Sequence, residues 1–363
     1  MKIIFTFEWD VLQTRAMEWY NFLSSLGHEV YLLNPSELSK QIFAIHNTNV
    51  KYVYDENFIE ECDYWFYDLA IDNTKMDKPT PFLDRMKLYK GTLFCISYED
   101  GYVFFVKRVD AHIVYKTAMF IGNALYNDKG WYQSYKDKVF LTTSYITNSQ
   151  PFKTAGLWVP ATDRKDRVYF SGALTGFPTY LTDRNDDEYY LRYTLCKIVA
   201  DSGIDHVIRF AACDPGLKDL YDEVVPAKWK TGYIDHLTYV TELVNSRFCL
   251  AVKGNSFPTN RFYESQAASC IALTTPLHGE VEFYGTGQAG KDYVEIKADG
   301  SDLVKTVKYY IEHKDEAIQI ANNGRYVWEQ HNMLNERGVW PEKTVAYHID
   351  GIKKITGIDI TKV

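Results

Sequence analysis

Cysteine is scarce in this 363-residue chain, and none of it is spaced for chemistry. Cys62, Cys95, Cys196, Cys213, Cys249 and Cys270 stand apart with no Cys-x-x-Cys pair, which argues against zinc-ribbon and thioredoxin-type sites. Most lie in apolar strand or helix contexts, so free buried thiols in a reducing compartment are expected. Long apolar runs are missing too. No window reaches the about 18 residues of a membrane span, and the run in "MKIIFTFEWD" is too short for a signal peptide, so a cytoplasmic protein is expected. Positive charge falls short of negative, 40 Lys and Arg against 48 Asp and Glu, for a net charge of −8 and a pI near 5.6. Such a chain has no global basic field to draw it to nucleic acid or an anionic membrane, although a local basic groove is compatible with it. No Gly-x-Gly-x-x-Gly follows the first apolar run, which disfavours a dehydrogenase.

Aromatic residues are plentiful, at 16% with 29 tyrosines. Tyrosine suits wet clefts and carbohydrate or base stacking, and it also fills cores. The length exceeds one hydrophobic core and accommodates two doubly wound units of roughly 150 residues each.

The pattern along the chain supports that division. "KIIFTF" reads as a strand, "TRAMEWYNFLSSLG" has helical spacing and closes on Gly27, and "HEVYLLNP" is again a strand, which together make a βαβ unit at the start of a parallel sheet. Further strands are expected at "CDYWFYDLA", "GTLFCISYED" and "KVFLTTSYI", a helix at "PFLDRMKLYKG", and a strand followed by a helix in "VFFVKRVDAHIVYKT". From Asn148 to Asp166 the pattern loosens into "NSQPFKTAGLWVPATDRKD", where a linker would fall. Alternation resumes with "RVYFSGAL", "DEYYLRYTLCKIVADSG", "HVIRFAA" and "HLTYVTELVNS". One or two long helices are expected from Gly300 to Asn332. The expected organisation is a Rossmann-like acceptor domain over 1–155, a Rossmann-like donor domain over 165–345, and a last segment, 346–363, packing back on the first domain.

The richest stretch is "SRFCLAVKGNSFPTNRFYESQAASCIALTTP", from Ser246 to Pro276. It reads as strand, polar turn, helix and strand. Ligands of open parallel sheets sit beyond the carboxyl ends of the strands, where loops lead into helix N-termini. Lys253 falls at such a strand end, and the helix should begin between Pro258 and Asn260 with Thr259 or Asn260 as cap. Arg261 in the first turn opposes the helix dipole unless an anion binds there, and two cations with a helix N-terminus suit a diphosphate. Glu264 follows one turn later on the same face. It could pair with Arg261 or accept hydrogen bonds from the two hydroxyls of a ribose.

This stretch resembles the C-terminal signature of exostosin-like glycosyltransferases, in which a Ser-x-Phe-Cys-Leu strand, a glycine turn with Arg-x-x-Glu and an Ala-x-Gly-Cys-Ile strand start succeed one another. Ser269 stands where that family usually has glycine, and Ala272 where it often has proline. More loosely, Arg167 to Phe262 is similar to the donor half of GT-B glycosyltransferases. The resemblance implies an α/β fold of two Rossmann-like domains facing each other across a cleft. It also implies that Glu264 grips the ribose of a nucleotide sugar while Arg261 and Lys253 offset its diphosphate, and that Tyr233 and Ile234 meet the nucleobase.

Gly172 in "SGALTG" lets a backbone approach a ligand closely, or serves turn geometry alone. Arg209 is a cation in an apolar strand, placed to pair with an acid such as Asp214 or to reach the phosphates. An inverting transfer needs a base for the acceptor hydroxyl. In "GTLFCISYEDGY" an apolar strand runs into Glu99 and Asp100, the two candidate catalytic carboxylates, and phage DNA β-glucosyltransferases look similar there; the same residues are ordinary turn chemistry. Glu8 and Asp10, after the first strand, are candidate acceptor-binding groups. His112 reads as structural. No Asp-x-Asp motif ends a suitable strand, and "DRNDDE" at Asp183 to Glu188 reads as a solvated loop, so neither a metal nor a cofactor is expected.

The expectation is an inverting, metal-independent glycosyltransferase moving a hexose or pentose from a nucleotide diphosphate sugar, UDP-linked by default, to a glycan hydroxyl. One alternative is transfer to hydroxymethylated pyrimidines in DNA, which a basic stripe would favour and the acidic balance disfavours. Another is a non-catalytic two-domain binding protein.

Overall fold

The computed structural model describes residues 1–7, 13–44, 49–68, 82–97, 118–121, 139–141, 159–174, 191–211, 218–232, 234–252, 258–277 and 284–362. The chain forms two compact units, Met1–Thr147 with Gln330–Val363, and Asn148–Glu329. The return to the first unit thus begins at Gln330, ahead of position 346 where the sequence pattern suggested it. Among the described residues no helix is long and apolar enough to cross a membrane.

The first unit is built on a parallel sheet of β1 (Lys2–Phe7), β2 (Glu29–Leu33), β3 (Lys51–Val53), β4 (Tyr64–Asp68), β5 (Thr92–Ser97), β6 (Ala118–Ile121) and β7 (Val139–Leu141), in the order β3-β2-β1-β4-β5-β6-β7. Strand order reverses between β1 and β4, the switch point of a doubly wound sheet. The helices α1 (Gln13–Ser25), α2 (Glu37–Ala44) and α3 (Leu83–Leu88) belong to this unit. Gly27 ends α1 at a φ of 89°, donating to Ser24 while His28 donates to Leu23. A residue with a β carbon would pay for that left-handed conformation. Phe5, Phe66 and Phe94 stack in register across three neighbouring strands, with centroids 4.9 and 4.5 Å apart. Strands so apolar need cover on both faces, and Trp19 and Phe22 of α1 supply part of it.

The second unit holds the strands β8 (Lys165–Ala173), β9 (His206–Ala211), β10 (Lys230–Thr231), β11 (Ser246–Leu250), β12 (Ile271–Thr274) and β13 (Val294–Glu295), all parallel, in the order β10-β9-β8-β11-β12-β13. This is the nucleotide-binding Rossmann order, with its switch point between β8 and β11. Its helices are α4 (Leu191–Asp201), α5 (Lys218–Val224), α6 (His236–Val244), α7 (Asn260–Ala267), α8 (Leu303–Glu312) and α9 (Lys314–His331). The long C-terminal helical pattern is two helices, broken at His313, whose ψ of 63° is not helical. A final helix, α10 (Glu342–Thr356), lies in the first unit and stops at Gly357 in the left-handed region. There Trp340 donates to Glu18 at 3.1 Å, and its ring stacks on His348 with centroids 4.1 Å apart.

Several expectations hold. "KIIFTF", "HEVYLLNP", "CDYWFYDLA", "GTLFCISYED" and "HVIRFAA" contain β1, β2, β4, β5 and β9, and "RVYFSGAL" covers β8 from Arg167 on. "VFFVKRVDAHIVYKT" lies outside the described residues. Five cysteines are free and buried, and Cys213 also lies outside them.

Candidate functional site

The switch point of the second unit brings together the end of β8, the start of α6 and the first two turns of α7. β11 is buried along its whole length and continues through buried Ala251 and Val252. α7 begins at Asn260, inside the window set by the sequence. Thr259 occupies the N-cap with extended dihedrals, yet its hydroxyl caps nothing: Oγ1 is buried without a partner among the described residues. The opposite end of α7 is firmly held. Arg164 donates to the Ala268 carbonyl and Arg325 to that of Ala267, two cations where the helix dipole is negative.

Arg261 projects back to β8. Its guanidinium donates to the Ser171 carbonyl and lies 4.8 Å over the Phe170 ring, while Nε is buried without a partner. Gly172 makes this possible, since a β carbon there would come within 3.0 Å of Cζ of Arg261. The glycine therefore admits an arginine of the same chain, a role beyond turn geometry.

Glu264 does not pair with Arg261. Its Oε2 accepts from the Tyr239 phenol at 2.5 Å. Burial, reinforced by the carboxylate, pushes the Tyr239 phenol well above its ordinary range, so it stays a donor. The Tyr239 ring is flanked by Tyr169 of β8 at 5.9 Å and His236 of α6 at 6.2 Å. The hydroxyl of Tyr169 and Nε2 of His236 are both buried without a partner among the described residues. Buried polar atoms are nearly always hydrogen-bonded in folded proteins. Unpaired buried polar atoms beside the Tyr239 ring are what a polar ligand would satisfy.

Arg209 is committed elsewhere. It forms a forked pair with Glu242 of α6, Nε donating to Oε2 at 2.8 Å and the second nitrogen donating to Oε1. The acid is Glu242 on the neighbouring helix, whereas sequence proximity suggested Asp214, which lies outside the described residues. The reason is that β9 pairs with β8 and α6 packs on β8 and β11, which brings Glu242 within reach of Arg209 although it is 33 positions away. Ile234 is half-buried one residue before Asp235, which caps α6 by accepting from the Thr238 amide at 2.9 Å.

Glu8, Asp10, Glu99, Asp100, His112, Tyr233 and Lys253 lie outside the described residues. In sequence, Glu8 and Asp10 follow the end of β1 at Phe7, and Glu99 and Asp100 follow the end of β5 at Ser97. Among the described residues no cluster of three or more His, Cys, Asp or Glu is arranged to hold a metal. The sequence reading missed Tyr239, Tyr169 and His236. The one signal for Tyr239 was its place within the helix "HLTYVTELV", three residues after His236.

Residues 211–337 match the family model described as glycosyl transferase-like. No curated protein matches the chain. Among solved structures, a glycosyltransferase from Rickettsia africae is similar at a TM-score of 0.58 and 10% identity, over 98% of each chain. The Anabaena protein HepE, solved with UDP and glucose, is similar at 0.58 and 9% identity, over 99% of this chain and 100% of that one. Sucrose-phosphate synthase from Thermosynechococcus elongatus follows at 0.51 and 12%, over 96% and 98%. The fold is that of GT-B glycosyltransferases, and most of the stretch similar to the family model falls in the second unit.

Proposed function

We propose that the chain transfers a sugar from a nucleotide diphosphate sugar, UDP-linked, to a hydroxyl of a glycan acceptor, with inversion and without a metal. The observation that carries this reading is the Glu264 carboxylate, held by Tyr239 one turn after Arg261 at the switch point of a Rossmann sheet. In this reading Glu264 accepts from the ribose hydroxyls. Arg261, Lys253 and the N-terminus of α7 meet the diphosphate charge. Ile234 and Tyr233 border the base. Arg209 contributes by bracing α6 through Glu242, which keeps Tyr239 in position. Binding of UDP and glucose by HepE supports the choice of nucleotide.

The acceptor oxygen attacks the anomeric carbon, the bond from that carbon to the diphosphate oxygen breaks, and the acceptor proton passes to a carboxylate. Asp100 or Glu99 takes that proton, with Glu8 and Asp10 holding the acceptor. The departing diphosphate keeps the electron pair, which is why fixed cations on the donor side lower the barrier.

A thermal-shift comparison of UDP, ADP, GDP and UDP-sugars tests the reading, with wild type beside Glu264→Ala and each repeated in EDTA. A ligand at about a hundred times its Kd stabilises by about 2.7 kcal/mol, or about 5 °C for a domain of this size. UDP is expected to give that shift in wild type, with or without EDTA, and to lose it in the variant. Absence of any nucleotide-dependent shift at millimolar concentration sinks the reading.

A further inference from the structure

We propose that Tyr239 is a positioning residue for Glu264, and that the pair makes this site selective for ribonucleotides over 2′-deoxyribonucleotides. The inference rests on the reading of the second unit as a nucleotide-sugar site and deepens it.

Glu264 is half-buried on α7 and Tyr239 lies on α6, the helices on either side of β11 in the chain. A glutamate side chain free to rotate would lose its rotamer freedom when ligand arrives, which opposes binding. The phenol removes that freedom beforehand, donating to Oε2 at 2.5 Å. The donor is itself fixed, because its ring sits between Tyr169 at 5.9 Å and His236 at 6.2 Å. Burial keeps the phenol protonated, so the donor is present at every pH near neutrality.

A carboxylate offers about four acceptor positions. The phenol takes one on Oε2, and the positions it leaves are held as a fixed set. The vicinal hydroxyls of a ribose supply two donors at matching separation. A 2′-deoxyribose supplies one, and an oxygen stripped of water then goes unmatched, at a cost of about tenfold in affinity for a charged acceptor.

The test is the affinity of UDP and 2′-deoxy-UDP for wild type, Tyr239→Phe and Glu264→Gln, each checked for folding by its melting curve. Wild type is expected to prefer UDP by about tenfold. Tyr239→Phe keeps the ring contacts and is expected to weaken UDP by about fivefold or more while leaving 2′-deoxy-UDP nearly unchanged, so that the preference collapses. A merely structural phenol would weaken both ligands by one factor, and that result overturns the proposal. So does an unchanged preference in Tyr239→Phe. Glu264→Gln is the second arm should the phenylalanine variant fold poorly. Its amide keeps one acceptor oxygen, already bonded by the phenol, and puts a donor where the other oxygen was, so two ribose hydroxyls can no longer both donate and the preference must again fall; full retention in Glu264→Gln overturns the proposal. If UDP binds wild type and needs Glu264 but ignores Tyr239, the nucleotide-sugar reading survives and the positioning role alone fails. If UDP does not bind wild type at millimolar concentration, both fail.

Discussion

The guanidinium of Arg261 lies against Gly172 and donates to the Ser171 carbonyl near the end of β8, 90 positions earlier in the chain. A β carbon at Gly172 meets the flexible end of an arginine and no backbone. The chain can therefore accept the methyl group by moving the guanidinium. Gly172→Ala is expected to fold with a loss of about 1 kcal/mol, a typical surface-to-intermediate cost, and to weaken UDP binding by about tenfold because Arg261 is displaced. Calorimetric titration of the variant checks this, and unchanged affinity would separate Gly172 from the ligand altogether.

The Arg209–Glu242 pair is about one-quarter exposed, at 30% and 18% for the two side chains. Removing Arg209 leaves Glu242 partly buried and unpaired. With allowance for solvent screening, Arg209→Met is expected to cost about 1–2 kcal/mol, and Arg209→Met with Glu242→Leu less than the sum of the singles. Urea unfolding of the three variants gives the coupling.

Ser269 follows α7 in the left-handed region at a φ of 51°, with its amide bonded to Gln266 and the Cys270 amide to Ser265. That is the helix-ending geometry that favours glycine. The hydroxyl of Ser269 is also buried without a partner among the described residues. Ser269→Gly is expected to stabilise the second unit by about 1 kcal/mol, raising its Tm by about 2–4 °C. A lower Tm would show that the serine is held by something other than its backbone.

Acid should weaken the first unit before the second. Burial lowers the pKa of His348 to about 3, and burial also lowers those of His28 and His331. In the unfolded chain these rings titrate near 6.5. Between the two values the unfolded state binds more protons, so stability falls as the pH drops below 6.5 and is intact above it. His348 alone accounts for about 2 kcal/mol lost by pH 5. Denaturation midpoints followed by tryptophan fluorescence at pH 7 and pH 5 should differ by less in His348→Phe than in wild type. Equal differences would remove His348 as the cause.

Much of this was legible in the sequence. The alternation of apolar runs and helical spacings gave parallel sheets, because strands buried on both faces must be apolar throughout. The run from Ser246 to Pro276 gave strand, turn, helix and strand, and the spacing of Arg261 and Glu264 put them one turn apart. Short elements escaped notice. β10 and β13 are two residues each, and α5 is seven; their local patterns are too brief to stand out, and they exist by pairing with longer neighbours.

The sequence by itself determined the class of fold and the helix on which two charged candidates sit, since periodicity and turn chemistry are local properties. Only the tertiary structure decided what those charges do. Glu264 found a phenol 25 positions away instead of the arginine one turn before it, and Arg209 found Glu242 instead of an acid nearer in the chain. Strand order is the cause: placing β8 between β9 and β11 brings α6, packed on β8 and β11, beside α7, and no spacing along the chain records which side chains then meet.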